Sequence, residues 1–164
     1  FEVYRPVDLL ALWTIPSPVT QTLETRFLPF QKGSITLKGI IHDACYLPGQ
    51  KIDLEACVYN RAPRTITSIE IRLVEATTYI AFYGSQAYQR IIKNRLVNLS
   101  QSLQIASGSD YFYSREISIP QFTPVHTTCP YIKVIYYLKI STSTVFGSSV
   151  AVKIPIVIGT IPTT

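Results

Sequence analysis

The chain has 164 residues, 47% of them hydrophobic and 15% charged, with a formal net charge of +5. That length suits one domain burying roughly 70% of its unfolded surface without metal or disulfide staples, and the composition excludes a disordered chain. The most apolar stretch, Val150 to Ile161, is broken by Lys153 and Pro155 and is too short to cross a bilayer.

In chain order, Phe1 to Phe30 opens with an apolar run and then reads "WTIPSPVTQT", where Pro16 and Pro18 predict a connector that leads into a first strand. Met is absent even at position 1, so the expectation is a fragment or a processed chain. From residue 31 onward, period-2 alternation takes over. Ile35, Leu37 and the Ile40-Ile41 pair mark one strand, and a Pro48-Gly49 turn follows, with proline presetting φ and glycine free to take the positive φ of a type II turn. Ile52, Leu54, Ala56 and Val58 alternate with Asp53, Glu55, Cys57 and Tyr59; Ile69, Ile71 and Leu73 repeat the pattern beyond a break at Asn60 to Pro63.

Tyr88 to Gln104, after Gly84-Ser85, comes nearest to an amphipathic helix but fits a strand as well. It carries the single basic cluster, Arg90, Lys93 and Arg95. No glycine-aromatic RNA-binding signature accompanies the cluster, so nucleic acid is not expected; a solvated strand face leads, ahead of an anionic-membrane or phosphate-binding face. Breaks at Ser107 to Asp110, Pro120 to Pro130 and Phe146 to Ser149 separate the last long runs, Ile132 to Ile140 and Val150 to Ile158. The prediction is an all-β fold: an antiparallel sandwich of two sheets with about seven or eight strands.

Three segments carry a family resemblance. "GIIHDACYLPGQKIDLEACVYNRAPRTITSIEIRLVE" resembles the part of arrestin-domain proteins in which a Tyr-x-Pro-Gly-Glu turn leads a strand ending in Asn; here Gln50 stands in place of the acidic residue. "CPYIKVIYYLKIS" is similar to their penultimate long strand and "KIPIVIGTIP" to their closing one, while "FEVYRPVDLLAL" is similar to the connector between their two lobes. The family resembled is the α-arrestins, in their C-terminal lobe. The resemblance implies an immunoglobulin-like sandwich over residues 31–164 after an inter-lobe connector and first strand over 1–30. It also implies no enzymatic activity and no cofactor. The expected role is that of a cytoplasmic adaptor, peripheral to the plasma membrane or endosome, that links membrane cargo to the trafficking and ubiquitin machinery and works beside an N-terminal lobe.

Candidate sites are few. "HDAC" and "HTTC" repeat a His-x-x-Cys spacing through His42, Cys45, His126 and Cys129, but the pairs lie far apart in sequence and no zinc site is expected. His42, Asp43 and Cys45 do not make a nucleophilic triad, because adjacent strand residues point to opposite faces. The acidic residues alternate with apolar ones as exposed strand positions, so no catalytic residue is assigned. Pro48 and Gly49 are assigned a structural turn, and Arg61 and Arg64, flanking Pro63, are loop candidates for pairing with an acidic cargo motif.

The competing reading is an extracellular immunoglobulin-like binding module, which would use the Asn98-Leu99-Ser100 sequon and pair two of the three Cys. An odd count with Cys57 in mid-strand fits a reducing cytosol better. In the family resembled, ligase recruitment runs through Pro-Pro-x-Tyr motifs in polyproline II conformation, and none of the 11 Pro here adjoins another. Purified WW domains titrated against this chain are therefore expected to show no binding; micromolar affinity would contradict that division of labour.

Overall fold

Strands with one apolar face bury it only by stacking on a second sheet, and this constraint organises the chain. The computed structural model describes residues 19–26, 33–124, 127–145 and 149–159. Phe1 to Leu12, Pro16, Pro18 and His126 lie outside them. The strands are β1 (Val19–Arg26), β2 (Ser34–Ile41), β3 (Cys45–Tyr46), β4 (Lys51–Asn60), β5 (Ile66–Tyr83), β6 (Gln86–Ile105), β7 (Asp110–Ser118), β8 (Thr127–Thr128), β9 (Ile132–Thr144) and β10 (Ser149–Ile158).

One sheet runs β1-β2-β4-β7 and the other β3-β10-β9-β5-β6, with β8 pairing onto β9. The all-β sandwich predicted by the alternation is the fold observed, with no helix among the described residues. The stretch from Tyr88 to Gln104, ambiguous in sequence, is strand. Pairing is antiparallel except where the two-residue β3 runs parallel to β10, through Val157 N–H to Ala44 O at 2.8 Å and Gly159 N–H to Tyr46 O at 3.0 Å.

The inner faces follow the sequence period closely. Ile52, Leu54, Ala56 and Val58 of β4 are buried while Lys51, Asp53 and Glu55 are exposed; Ile35, Leu37 and Ile41 of β2 point the same way. Opposite them stand Ile69, Ile71 and Leu73 of β5, Leu138 and Ile140 of β9, and Val152, Ile154, Ile156 and Ile158 of β10. Each such side chain contributes roughly 1.5–3 kcal/mol by leaving water. Gly39 of β2 faces the opposite sheet closely: a Cβ there would stand 2.6 Å from Ile140 Cδ1 and 2.7 Å from Ile154 Cδ1, so a larger residue would force those side chains to shift.

Turns settle the register. Leu47 to Gln50 turns through Gly49 at φ 85°, closed by Gln50 N–H to Leu47 O at 3.1 Å. The Gln50 side-chain oxygen accepts from Leu47 N–H at 2.8 Å, a bond that an acidic residue in that place could also accept. Gly84 at φ 62° and Gly108 at φ 83° turn the chain after β5 and β6.

Two buried polar positions contrast. Asn60, fully buried at the end of β4, has its side chain satisfied: its amide nitrogen donates to Arg64 O at 2.8 Å and Ile105 O at 2.9 Å, and its oxygen accepts from Ala62 N–H at 3.1 Å. Thr142 Oγ1, on the inner face of β9, is buried with no partner. Removing the first leaves three backbone groups unpaired, whereas removing the second relieves an uncompensated hydroxyl. Asn60→Ala is expected to lower unfolding stability by about 2–4 kcal/mol and Thr142→Val to raise it by about 1 kcal/mol, read from urea melts. Equal losses from both would contradict this assignment.

Candidate interaction surface

Open strand edges carry unpaired backbone donors and acceptors, so an all-β domain presents its binding capacity first at its edges. The edges here are β1 and β7 in one sheet, β3 and β6 in the other. Among these β6 is the longest at 20 residues. It pairs with β5 from Ile66↔Ile105 to Tyr83↔Gln86, with register shifts at Ile66/Ser68 and at Leu73/Val74, where Leu96 has no partner on β5.

The β5–β6 hairpin outruns the sandwich. Support from β9 ends at Tyr79↔Ile132, and from there to the Gly84-Ser85 turn only two strands remain. At the root of this ribbon, Tyr136 Oη contacts Pro124 O at 2.5 Å and Glu75 Oε2 at 3.1 Å, while Asn94 Nδ2 donates to Glu75 Oε1 at 3.2 Å. These bonds tie β5, β6, β9 and the loop before β8 into one knot around the buried Glu75 and Tyr136, with Asn94 and Pro124 on its exposed side.

Beyond the knot the side chains are exposed: Phe82 at 59%, Tyr83 at 82% and Tyr88 at 56%, with Tyr131 edge-on to Phe82 at 6.2 Å between ring centroids. Arg90, Lys93 and Arg95 project from the same strand, also exposed. The basic cluster was legible in the sequence; the aromatic tip beside it was missed. Its signal was there: from Tyr79 to Tyr83 the polar member of each alternating pair disappears.

The other candidates fall elsewhere. Arg61 Nη2 lies 2.7 Å from Asp110 Oδ1, so its charge is already engaged, and Arg64 contributes its carbonyl to the Asn60 amide. Their loop abuts the Ile105 end of β6 through that amide, and Ser107 Oγ donates to Ala62 O at 2.5 Å. Pro48 and Gly49 sit in the turn described above.

His42 faces solvent beside Glu55 at 3.7 Å. Cys45 is half-buried in β3, and burial, then Asp43, pushes its thiol up, opposite to the shift an activated nucleophile requires. Cys129 is half-buried before β9, where its sulfur accepts from Ile132 N–H at 3.2 Å. Among the described residues no group of three His, Cys, Asp or Glu converges as a metal site. None of the three Cys is in a disulfide.

Two buried tyrosines resist ionisation. Burial first, then the Glu75 carboxylate, pushes Tyr136 well above the usual phenol range. Tyr46 is pushed up to about 12, again mainly by burial and then by Asp43. A phenol harder to ionise folded than unfolded stabilises the fold fully below its unfolded pKa and loses that contribution as pH rises through the folded one. Stability is therefore expected to fall from pH 10 to about 12 by on the order of 1–2 kcal/mol from Tyr46. In an alkaline melt series, Tyr46→Phe is expected to flatten that slope; an unchanged slope would contradict the assignment.

Comparison with known proteins adds an independent finding. Residues 31–163 match the family model described as Arrestin (or S-antigen), C-terminal domain. The chain is similar to arrestin domain-containing protein 17 of Caenorhabditis elegans, 31% identical over 133 residues that cover 79% of this chain and 30% of that protein. It is similar also to arrestin domain-containing protein 4 of Homo sapiens, 28% identical over 134 residues covering 81% and 31%. The chain thus spans about a third of the length of the curated relatives it matches. Among solved structures, the sporulation control protein Spo0M of Bacillus subtilis superposes with a TM-score of 0.59 at 16% identity, covering 79% of this chain and 51% of that one, a likeness of fold alone.

Proposed function

Because this chain belongs to the arrestin C-terminal domain family, we propose that it is a non-enzymatic adaptor lobe that holds partner proteins in the trafficking, endocytosis and ubiquitin-dependent sorting of membrane proteins. The observation that carries the reading is the open edge of β6, the longest edge strand of the sandwich. An extended cargo or partner segment can add to that edge, taking its affinity from backbone hydrogen bonds and its selectivity from alternate side chains. The loop of Arg61 and Arg64 lies at the Ile105 end of the same edge, where acidic residues of such a segment would have to displace Asp110 from Arg61. Cargo contact belongs to this lobe, and ligase contact to sequence outside this chain. The setting is cytoplasmic, at the plasma membrane or endosome. An extracellular immunoglobulin-like module is not favoured by the similarity to arrestin domain-containing proteins.

Proline scanning of the edge tests this reading. Ser100 and Gln101 pair with Glu70 and Ile69, and in an antiparallel ladder adjacent residues direct their N–H groups to opposite sides. Of Ser100→Pro and Gln101→Pro, one removes an outward N–H and leaves the pairing with β5 intact. The purified chain is expected to capture transmembrane proteins from detergent-solubilised membranes, and that outward-facing variant to lose the capture by tenfold or more while keeping its melting temperature. Undiminished capture by a folded variant would rule out the β6 edge as the cargo site; capture of no transmembrane protein by the unsubstituted chain would overturn the adaptor reading.

A further inference from the structure

The aromatic tip of the hairpin asks for an environment that an edge-binding peptide does not supply. Paired residues of an antiparallel ribbon share a face, and successive pairs alternate. The pairs Tyr79↔Arg90, Ala81↔Tyr88 and Tyr83↔Gln86 therefore put three tyrosines on one face. Thr78↔Ile91 and Phe82↔Ala87 put Phe82 and Ile91 on the other, where Tyr131 meets Phe82. Both faces of the ribbon therefore carry exposed aromatic or apolar side chains, interspersed with Gln86, Gln89 and Arg90. A protein groove would cover one of them; a ribbon with aromatic side chains on both sides is matched by a medium that surrounds it.

Charge is arranged in a second layer. Counting from the Gly84-Ser85 turn, Phe82, Tyr83 and Tyr88 come first, and the cations begin at Arg90, roughly 15 Å back at about 3.3 Å per residue. Arg90 is followed by Lys93 and Arg95 on β6 and by Lys133 on β9, opposite Thr78. No Asp or Glu occurs between Ala76 and Ser109 or between Tyr131 and Thr144. None of these four cations forms an ion pair with a described carboxylate. The nearest acid in the strand, Glu75, is buried and bonded to Tyr136 and Asn94.

An aromatic tip rich in tyrosine, ahead of a collar of unopposed cations, matches the layers of an anionic bilayer surface. Amphipathic rings sit at headgroup depth, and lysine and arginine meet the anionic lipid outside it. We propose that the β5–β6 ribbon is a membrane-docking element that inserts its tip, edge-on, into the interface of an anionic bilayer. The tip lies beyond the Glu75–Tyr136–Pro124 knot and beyond the β9 pairing, so insertion needs no unfolding of the sandwich. This proposal stands apart from the cargo reading, because lipid alone is its ligand.

Sedimentation of the whole chain with vesicles tests it. The chain is expected to bind vesicles of phosphatidylcholine with phosphatidylserine and to leave pure phosphatidylcholine vesicles unbound. The triple variant Arg90→Ser, Lys93→Ser, Arg95→Ser is expected to weaken binding on the order of a hundredfold, since each cation near an anionic surface contributes about a factor of five. The double variant Phe82→Ser, Tyr83→Ser, both sites being solvent-exposed, is expected to keep the melting temperature and weaken binding at least tenfold. Absence of binding to anionic vesicles overturns the proposal. So does full binding by the tip variant, which would make the contact electrostatic without insertion, and so does capture of a protein on the tip by a chain that ignores vesicles. Because the vesicles hold no protein, a negative result here leaves the cargo reading standing.

Discussion

The structure turns on one buried amide. Asn60 sits with no exposure at the point where β4 ends, and its side chain is bonded at once to the Arg61–Arg64 loop and to the last residue of β6. Its main chain pairs with the β6–β7 turn, Gly108 N–H to Asn60 O at 2.7 Å and Asn60 N–H to Ser109 O at 3.0 Å. One residue thus joins a strand of the first sheet to the edge strand of the second. An apolar side chain there would leave backbone groups buried and unpaired, and the β6 edge would lose the fixed end that gives it a defined register.

From that junction the sandwich reads as a frame with two ends. At the Asn60 end, polar bonds seal the loops. At the other, Glu75, Tyr136, Asn94 and Pro124 close the core beneath a hairpin that continues past its last contacts, Ile80 N–H to Tyr131 O at 2.8 Å and the Phe82–Tyr131 ring pair. Between them the packing is apolar, with Gly39 set close against Ile140 and Ile154 of the facing sheet. The consequence for function is a division of surfaces: a long open edge on β6, and a ribbon tip carried well beyond the core.

Much of this was legible because burial of one strand face writes itself into sequence with period 2. Ile52 to Val58 and Leu138 to Ile140 could hardly be read otherwise, and Pro48-Gly49, Gly84-Ser85 and Ser107 to Asp110 broke the chain where it turns. The full reach of β5 and β6 was less legible. From Leu73 to Thr77 both faces of β5 are buried and from Tyr79 onward neither is consistently so, which makes the alternation that identifies a strand fade, and Tyr88 to Gln104 kept a helical alternative that the pairing with β5 removes. Asn60 looked like a strand-ending residue; its bonds to Arg64 and Ile105 depend on contacts 4 and 45 residues away, which no local pattern encodes. Arg61 read as an available cation because its partner, Asp110, lies across the fold.

Membership in the arrestin C-terminal domain family gives this frame a context, and the two projecting features give it a means of contact. The second depends on the claim that the hairpin tip stands free of the sandwich that anchors it, and amide hydrogen exchange on the chain alone measures that most directly. A two-stranded ribbon in water is at best marginally stable, whereas core strands open only with global unfolding. Peptides covering Ile69 to Leu73 and Leu138 to Ile140 should exchange at the global limit, with those spanning Ala81 to Gln89 faster by orders of magnitude. Protection of the tip equal to that of the core would contradict the account, since it would mean that the ribbon is already packed against another part of the molecule.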